Sequence, residues 1–371
     1  MNTLNKMNKT QWSAIATFCA SIAIYTAMLM TTVLASGQVF AESIEKITHS
    51  QNTQKKVLMV VSGYGESEGN IKPGYEFDEF SKAYAVFKAN NIAVDIASPQ
   101  GGTVVADKYN PEKSYNASVL ADKNIMVKLD KTFATSALQA ADYDGIFVVG
   151  GKGAMFDLPK DKALQRLIAD IYQQQGVVAA VCHGPAALVD VKLNDGSYLV
   201  ANKAINSFTN EEENLFGKKW INDYEFLLED KLAERGAKFQ SSEIMLSHVA
   251  MDERLITGQN PTSTVAVATA LVTSLGLTPV ASIQDIEDKT MGIVAQFIDG
   301  NEQALNTLVN KPEEYHLSLA GMYGFYYLRV AEKDAEFKQA LALMLVAQKT
   351  MNNPMLDMQI AKTQHKLGET V

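Results

Sequence analysis

A cysteine and a histidine stand side by side at Cys182 and His183, between the apolar run 177–181 and the pair Gly184-Pro185. A thiol beside an imidazole is equipment for nucleophilic chemistry. The sulfur attacks an electrophilic carbon and the imidazole carries the proton. The run VVAAV at 177–181 has the length and composition of a buried strand. The Gly-Pro pair and the small residues after it read as a narrow turn and a helix start. A residue pinned between a strand end and a helix start faces the positive end of the helix dipole, which favours a thiolate. The competing reading makes Cys182 an ordinary small core residue, because free cysteine is often buried. The adjacent His183 and the Gly-Pro pair favour the reactive reading.

Three other groups carry chemistry. Glu76, Asp78 and Glu79 open a helix that runs to about Asn90. Glu211, Glu212 and Glu213 open another, with Thr209 or Asn210 as its cap. Complementing the helix dipole accounts for both acidic turns without excluding a site role for one member. Gly150, Gly151, Lys152 and Gly153 follow the apolar run 144–149. Glycines there let backbone N–H groups approach a ligand and hold a developing oxyanion. A plain strand-to-helix turn explains them as well. The glycine-rich loop 62–69 lacks the Lys-Ser/Thr of a phosphate loop and the spacing of a dinucleotide loop. The five histidines are far apart, so no metal site is expected.

The elements that must position these residues alternate. Strands are predicted at 56–61, 92–97, 144–149, 177–181 and 255–258. Helices are predicted at 74–90, 161–175, 223–235 and 262–275. This order predicts an α/β fold, an open and mostly parallel sheet with helices on both faces. Ligands of such sheets bind beyond the carboxyl ends of the strands, where Cys182, the turn 150–153 and the loop 62–69 all fall. Residues 103–128 show no clear period and read as an irregular excursion overhanging a site. From residue 281 the pattern is helical only, at 285–299, 302–309, 317–330, 335–348 and 355–366. This C-terminal helical appendage packs on the α/β domain or on a second subunit. Its methionines, Met322, Met344, Met351, Met355 and Met358, read as core. Tyr315-His316 and the aromatic run 323–327 are its only hint of a ligand groove.

The chain has 371 residues, 47% hydrophobic and 20% charged, which are globular values. A formal net charge of −9 argues against a nucleic-acid partner. Residues 1–41 read as an export signal: Lys6 and Lys9 precede an apolar run at 12–34, and Ala41 offers a small-residue cleavage site. The alternative is an uncleaved N-terminal membrane anchor. Residues 42–55 read as a polar linker, 56–280 as the α/β domain and 281–371 as the helical extension. Cleavage removes Cys19 and leaves Cys182 as the single cysteine, so no internal disulfide forms. The expected location is the bacterial periplasm.

The run VAAVCHGP at 178–185 resembles the nucleophile signature of the ThiJ/PfpI superfamily, within the flavodoxin-like, class I glutamine-amidotransferase-like fold. GGKGAMFDLP at 150–159, FTNEEE at 208–213 and LITGQNP at 255–261 resemble its stress-chaperone and glyoxalase III branch. The resemblance covers residues 55–277. It implies Cys182 as nucleophile and His183 as the neighbouring acid/base. Glu213 becomes the third member that orients the histidine, with Glu212 as a one-residue alternative. Glu79 becomes the buried glutamate that hydrogen-bonds the sulfur. Gly151 and the backbone after Cys182 become oxyanion donors, with Gly150, Lys152 and Gly153 beside them. Lys152 stands where the branch commonly has histidine, which changes the local charge. The implied activity converts methylglyoxal or a related α-oxoaldehyde to a 2-hydroxy acid through a Cys182 hemithioacetal, with no metal or organic cofactor. The implied partners are a small aldehyde and a second copy of the chain. Two alternatives stand beside it: an exported holdase that binds unfolded proteins, and a Cys-His peptidase or amidase.

Overall fold

The computed structural model describes residues 54–67, 69–281 and 284–369. The expected signal segment 1–41, and all of the 42–55 linker except its last two residues, lie outside the described residues. Lys55–Val371 form one compact unit.

The apolar runs become strands because a sheet covered on both faces buries every side chain of a short segment. The main strands are β1 Lys56–Val60, β2 Ala93–Ser98, β3 Phe133–Ala134, β4 Gly145–Val148 and β5 Val177–Val181. β6 Ala204–Ile205 and β7 Lys238–Phe239 form a separate parallel pair. β8 Val249–Asp252 and β9 Leu255–Gly258 complete the large sheet. Its order is β3-β2-β1-β4-β5-β9-β8, parallel throughout except for the β8–β9 hairpin. The register Met59↔Phe147, Phe147↔Ala179 and Ala179↔Ile256 aligns four strand ends at one edge.

The helices of the sheet region are α1 Phe77–Ala89, α2 Ser114–Ala121, α3 Lys123–Asp130, α4 Ala154–Asp157, α5 Lys162–Gln173, α6 Asn210–Phe216, α7 Leu228–Glu234 and α8 Thr264–Ser274. Alternation along the strands sorts the core into two layers. Met59, Phe147 and Ala179 pack with Phe80 and Phe87 of α1 and Leu271 of α8. Leu58, Ile146 and Val178 pack with Leu164 and Ile168 of α5.

Three local expectations change. Residues 103–128 are not an irregular excursion: α2 and α3 occupy their second half. These helices bury only Asn116, Val119, Ile125 and Leu129, too few apolar positions to show a period. Asp122 caps α3 and ties it to Lys88 and Tyr84 of α1 at 2.6 and 2.9 Å. The helix expected at 223–235 is the shorter α7. The β8–β9 hairpin, with Glu253 at φ +55° in its turn, carried no turn signal in the sequence.

The tail folds as read, into α9 Ile286–Ile298, α10 Glu302–Asn310, α11 Leu317–Tyr327, α12 Asp334–Gln348 and α13 Pro354–Lys366. Its core joins Met291, Val294, Tyr323 and Leu343 to Ile244 and Leu246 of the preceding segment. The methionine stripe is only partly core. Met344 is buried, but Met322, Met355 and Met358 are 43%, 64% and 48% exposed.

α9 is fastened to α1 by charge. The Lys82 ammonium of α1 lies 2.6 Å from Asp288 and 3.1 Å from Asp285, with all three side chains nearly buried. Burial opposes the ammonium, yet the two aspartates outweigh it and raise the Lys82 pKa. Burial likewise raises Asp288 to about 6, against the pull of Lys82. Lys82→Ala leaves two buried carboxyls uncompensated, a loss of about 3–5 kcal/mol at pH 8. The loss shrinks at pH 5, where Asp288 takes up a proton. Urea unfolding of both proteins at the two pH values checks this.

Candidate active site

The site begins with a strained residue. Cys182 directly follows β5 with φ +60°, a left-handed conformation that costs a non-glycine residue free energy. The turn is held from two sides: the Cys182 amide donates to Gly258 at 2.8 Å, and its carbonyl accepts from Phe208 at 2.9 Å. A Cβ on Gly184 would lie 2.4 Å from the Val148 carbonyl oxygen, so only glycine lets the chain leave the turn against β4. The segment that follows is a short 3-10 helix, Gly184–Leu188.

That geometry corrects the expected thiolate. One short 3-10 turn supplies little dipole, and Cys182 is buried. Burial pushes the thiol well above its usual range. The resting group is a thiol, so a nucleophilic sulfur here requires that its proton be handed on.

His183 is placed to accept that proton. Its Nδ1 lies 3.3 Å from Cys182 Sγ, and its Nε2 pairs with Glu213 Oε1. A carboxyl oxygen against Nε2 assigns the proton to Nε2 and leaves Nδ1 free to accept from the thiol. The His183 ring also lies against Phe208, with centroids 4.6 Å apart.

The two neighbouring glutamates of α6 separate cleanly. Thr209 caps α6 in a reciprocal box with Glu212. Glu212 Oε1 also accepts from Asn260 Nδ2 at 2.9 Å and the Met245 amide at 2.8 Å. Glu212 therefore anchors the helix, and Glu213, one position on, reaches His183.

Glu79 is fully buried on α1. One carboxyl oxygen accepts from the Gly150 amide at 2.7 Å. Burial, then the nearby Glu76, raises its pKa well above the usual carboxylate range. Glu79 is thus a carboxylic acid at neutral pH, able to donate an O–H beside the sulfur.

The four residues of the glycine turn divide in two. Gly151, at φ +95°, and Lys152 line the cavity over Cys182. Gly150 and Gly153 do not: their amides are spent on Glu79 and on the Gly74 carbonyl. Among the described residues, the amides of Gly151 and His183 donate to no protein acceptor. Both are available to an oxyanion.

The cavity holds about 380 Å³. Two contributions to its wall bear on the sequence reading. Glu76, read as a dipole complement, faces the cavity, and burial followed by Asp78 raises it to about 7. Its spacing of three from Glu79 was the available signal. The other contribution is Met322 and Tyr326 of α11, with Tyr326 packed edge-on against Phe216 at 4.8 Å. Tyr326 lies in the aromatic run read as a groove, whereas Tyr323 and Tyr327 of that run are buried core. Among the described residues, no group of three His, Cys, Asp or Glu side chains is placed to hold a metal ion.

The relay generates a prediction. Glu213→Gln keeps the shape but weakens the stabilisation of a protonated His183, so Cys182 is alkylated by iodoacetamide about tenfold more slowly at pH 7. An unchanged rate would remove Glu213 from the relay.

Known proteins share this arrangement's frame. The chain is 31% identical over 242 residues to the glutathione-independent glyoxalase hsp3102 of Schizosaccharomyces pombe, covering 60% of this chain and 98% of the relative. It is 33% identical over 236 residues to the glutathione-independent glyoxalase HSP31 of Saccharomyces cerevisiae, covering 60% and 98%. The crystal structure of glyoxalase III from Candida albicans superposes with a TM-score of 0.55 at 28% identity, covering 59% of this chain and 97% of that one. The DJ-1/PfpI family model matches residues 70–274. The chain belongs to the DJ-1/PfpI family.

Proposed function

We propose that the protein is a glutathione-independent glyoxalase that converts an α-oxoaldehyde, such as methylglyoxal, to the 2-hydroxy acid. The observation that carries this is the placement of a proton acceptor and a buried carboxylic acid against one buried thiol. Cys182 meets His183 Nδ1 on one side and Glu79 on the other. The relatives' names point the same way.

The chemistry balances without an outside oxidant. Cys182 Sγ adds to the aldehyde carbon while its proton passes to His183 Nδ1, giving a hemithioacetal. The Gly151 and His183 amides face the developing oxyanion. A base removes the hydrogen on the former aldehyde carbon, and a proton returns to the neighbouring carbon. The aldehyde carbon is oxidised to a thioester, and the ketone carbon is reduced to an alcohol. Water hydrolyses the thioester, releasing the 2-hydroxy acid and restoring the thiol. The enzyme's own sulfur takes the place that a soluble thiol would fill.

Glu79, held as the acid, donates toward the sulfur and the substrate oxygen. Glu76, raised to about 7, loses and regains a proton within the working range and suits the transfer between carbons.

Wild-type protein is expected to release lactate from methylglyoxal. Cys182→Ser lowers the rate about 10³-fold or more, and Glu79→Gln about 10²-fold. Absence of lactate from a protein whose thiol still alkylates would sink the assignment.

The pH dependence follows from Glu76. A base must be ionised, so kcat/KM rises as pH increases through about 7. Glu76→Gln lowers the plateau and removes that limb, as a pH–rate profile would record. A limb that survives the substitution belongs to another group.

A further inference from the structure

We propose that the C-terminal helices fit the site at Cys182 to α-oxoaldehydes carrying an apolar aryl or medium-length alkyl substituent. The proposal rests on the glyoxalase reading above and names the substrate class of that site.

Met322 and Tyr326 of α11 wall the cavity over Cys182. The same two side chains wall a second cavity of about 530 Å³ on their other side. The second space is bounded by Phe325 of the same helix and by Met351, Met355 and Leu356 from the α12–α13 junction. A pair of side chains therefore separates two spaces, one of which ends at the nucleophile. Met322 is 43% exposed, unbranched and not locked into a core, so a rotamer change opens one space to the other. A three-carbon aldehyde needs only the space over Cys182 and leaves the second unused.

The lining decides what kind of tail fits. The charged groups at the margin of the second cavity are already paired. Lys113 Nζ lies 2.8 Å from Asp78 and 3.0 Å from Glu287, and His316 Nδ1 lies 4.0 Å from Glu287. Asn353 is occupied in capping α13 through the Met355 amide at 3.0 Å. No unpaired charge among these groups awaits an anionic or cationic substituent. Met355 is 64% exposed and Met322 is open, so an uncharged apolar tail covers surface that water now covers. The family match stops at residue 274, before α11 begins, so this wall belongs to the appendage.

The test uses the full chain and two homologous series. The first measures kcat/KM for alkylglyoxals from methyl to hexyl, and for phenylglyoxal. The second measures Cys182 alkylation by iodoacetamide and by N-hexyl-iodoacetamide, which needs no turnover. Each methylene that reaches the second cavity is expected to raise kcat/KM about fourfold. N-hexyl-iodoacetamide is expected to react at least about tenfold faster than iodoacetamide by the same burial. Met322→Glu and Met355→Glu flatten both series. Met251→Glu, at a half-exposed position on β8 away from both cavities, leaves them unchanged. Flat series in the wild type, or slopes that survive both glutamate substitutions, overturn the proposal. Turnover of methylglyoxal with two flat series removes the tail site and keeps the glyoxalase. A chain-length preference in alkylation with no aldehyde turned over keeps the tail site and removes the glyoxalase.

Discussion

A carboxyl group buried against a buried sulfur is the constraint on which this site depends. Glu79 has no water to solvate an anion, so it holds its proton, and its one strong partner is the Gly150 amide. Satisfying that group fixes α1 relative to the end of β4. The sulfur it faces is fixed by the left-handed turn at the end of β5. A Cβ on Gly150 would lie 2.7 Å from Glu79 Oε2 and 2.8 Å from Cys182 Cβ, so the three elements meet at atomic contact. In the proposed reaction, chemistry at Cys182 proceeds beside an acid that is preorganised rather than recruited.

The histidine is positioned by a second set of buried polar contacts. Glu212 closes the Thr209 capping box and takes Asn260 and the Met245 amide. This sets the rotation of α6, and a residue one step along a helix points about 100° away. Glu213 consequently meets His183, and a rotation of α6 by a single residue would exchange the two roles. A buried network of this kind tolerates little loosening, because each unpaired member costs its full desolvation.

The appended helices are part of the site rather than a neighbour of it. α9 is fastened to α1 by the nearly buried Lys82, Asp285 and Asp288. α11 is packed between that contact and the buried face of α12. The result places Met322 and Tyr326 opposite the nucleophile. The domain that carries the chemistry and the helices that shape the cavity are thus held by different forces. Burial of apolar surface supplies the cohesion, and one compensated charge cluster sets the registration.

Much of this was legible in the chain itself. Short, largely apolar runs marked the parallel strands, because burial on both faces favours near-continuous apolar composition. The Cys182-His183 pair and its flanking turn marked the candidate nucleophile, since a strand end and Gly-Pro leave few conformations. The tail's helices were readable from their period alone. Tertiary structure decided the rest. Adjacent glutamates on α6 are equivalent in sequence, and only the contacts with Asn260 and Met245 distinguish them. Glu76 and Glu79 both read as dipole complements, because burial depth is not a local property. The thiol departs from the sequence expectation for the same reason: a helix start favours an anion, but burial outweighs it. Met322 lies 140 residues from Cys182, and no local pattern encodes a contact made by docking. Local propensity and burial pattern fix elements, whereas pKa values and cavity walls arise only when distant segments exclude water together.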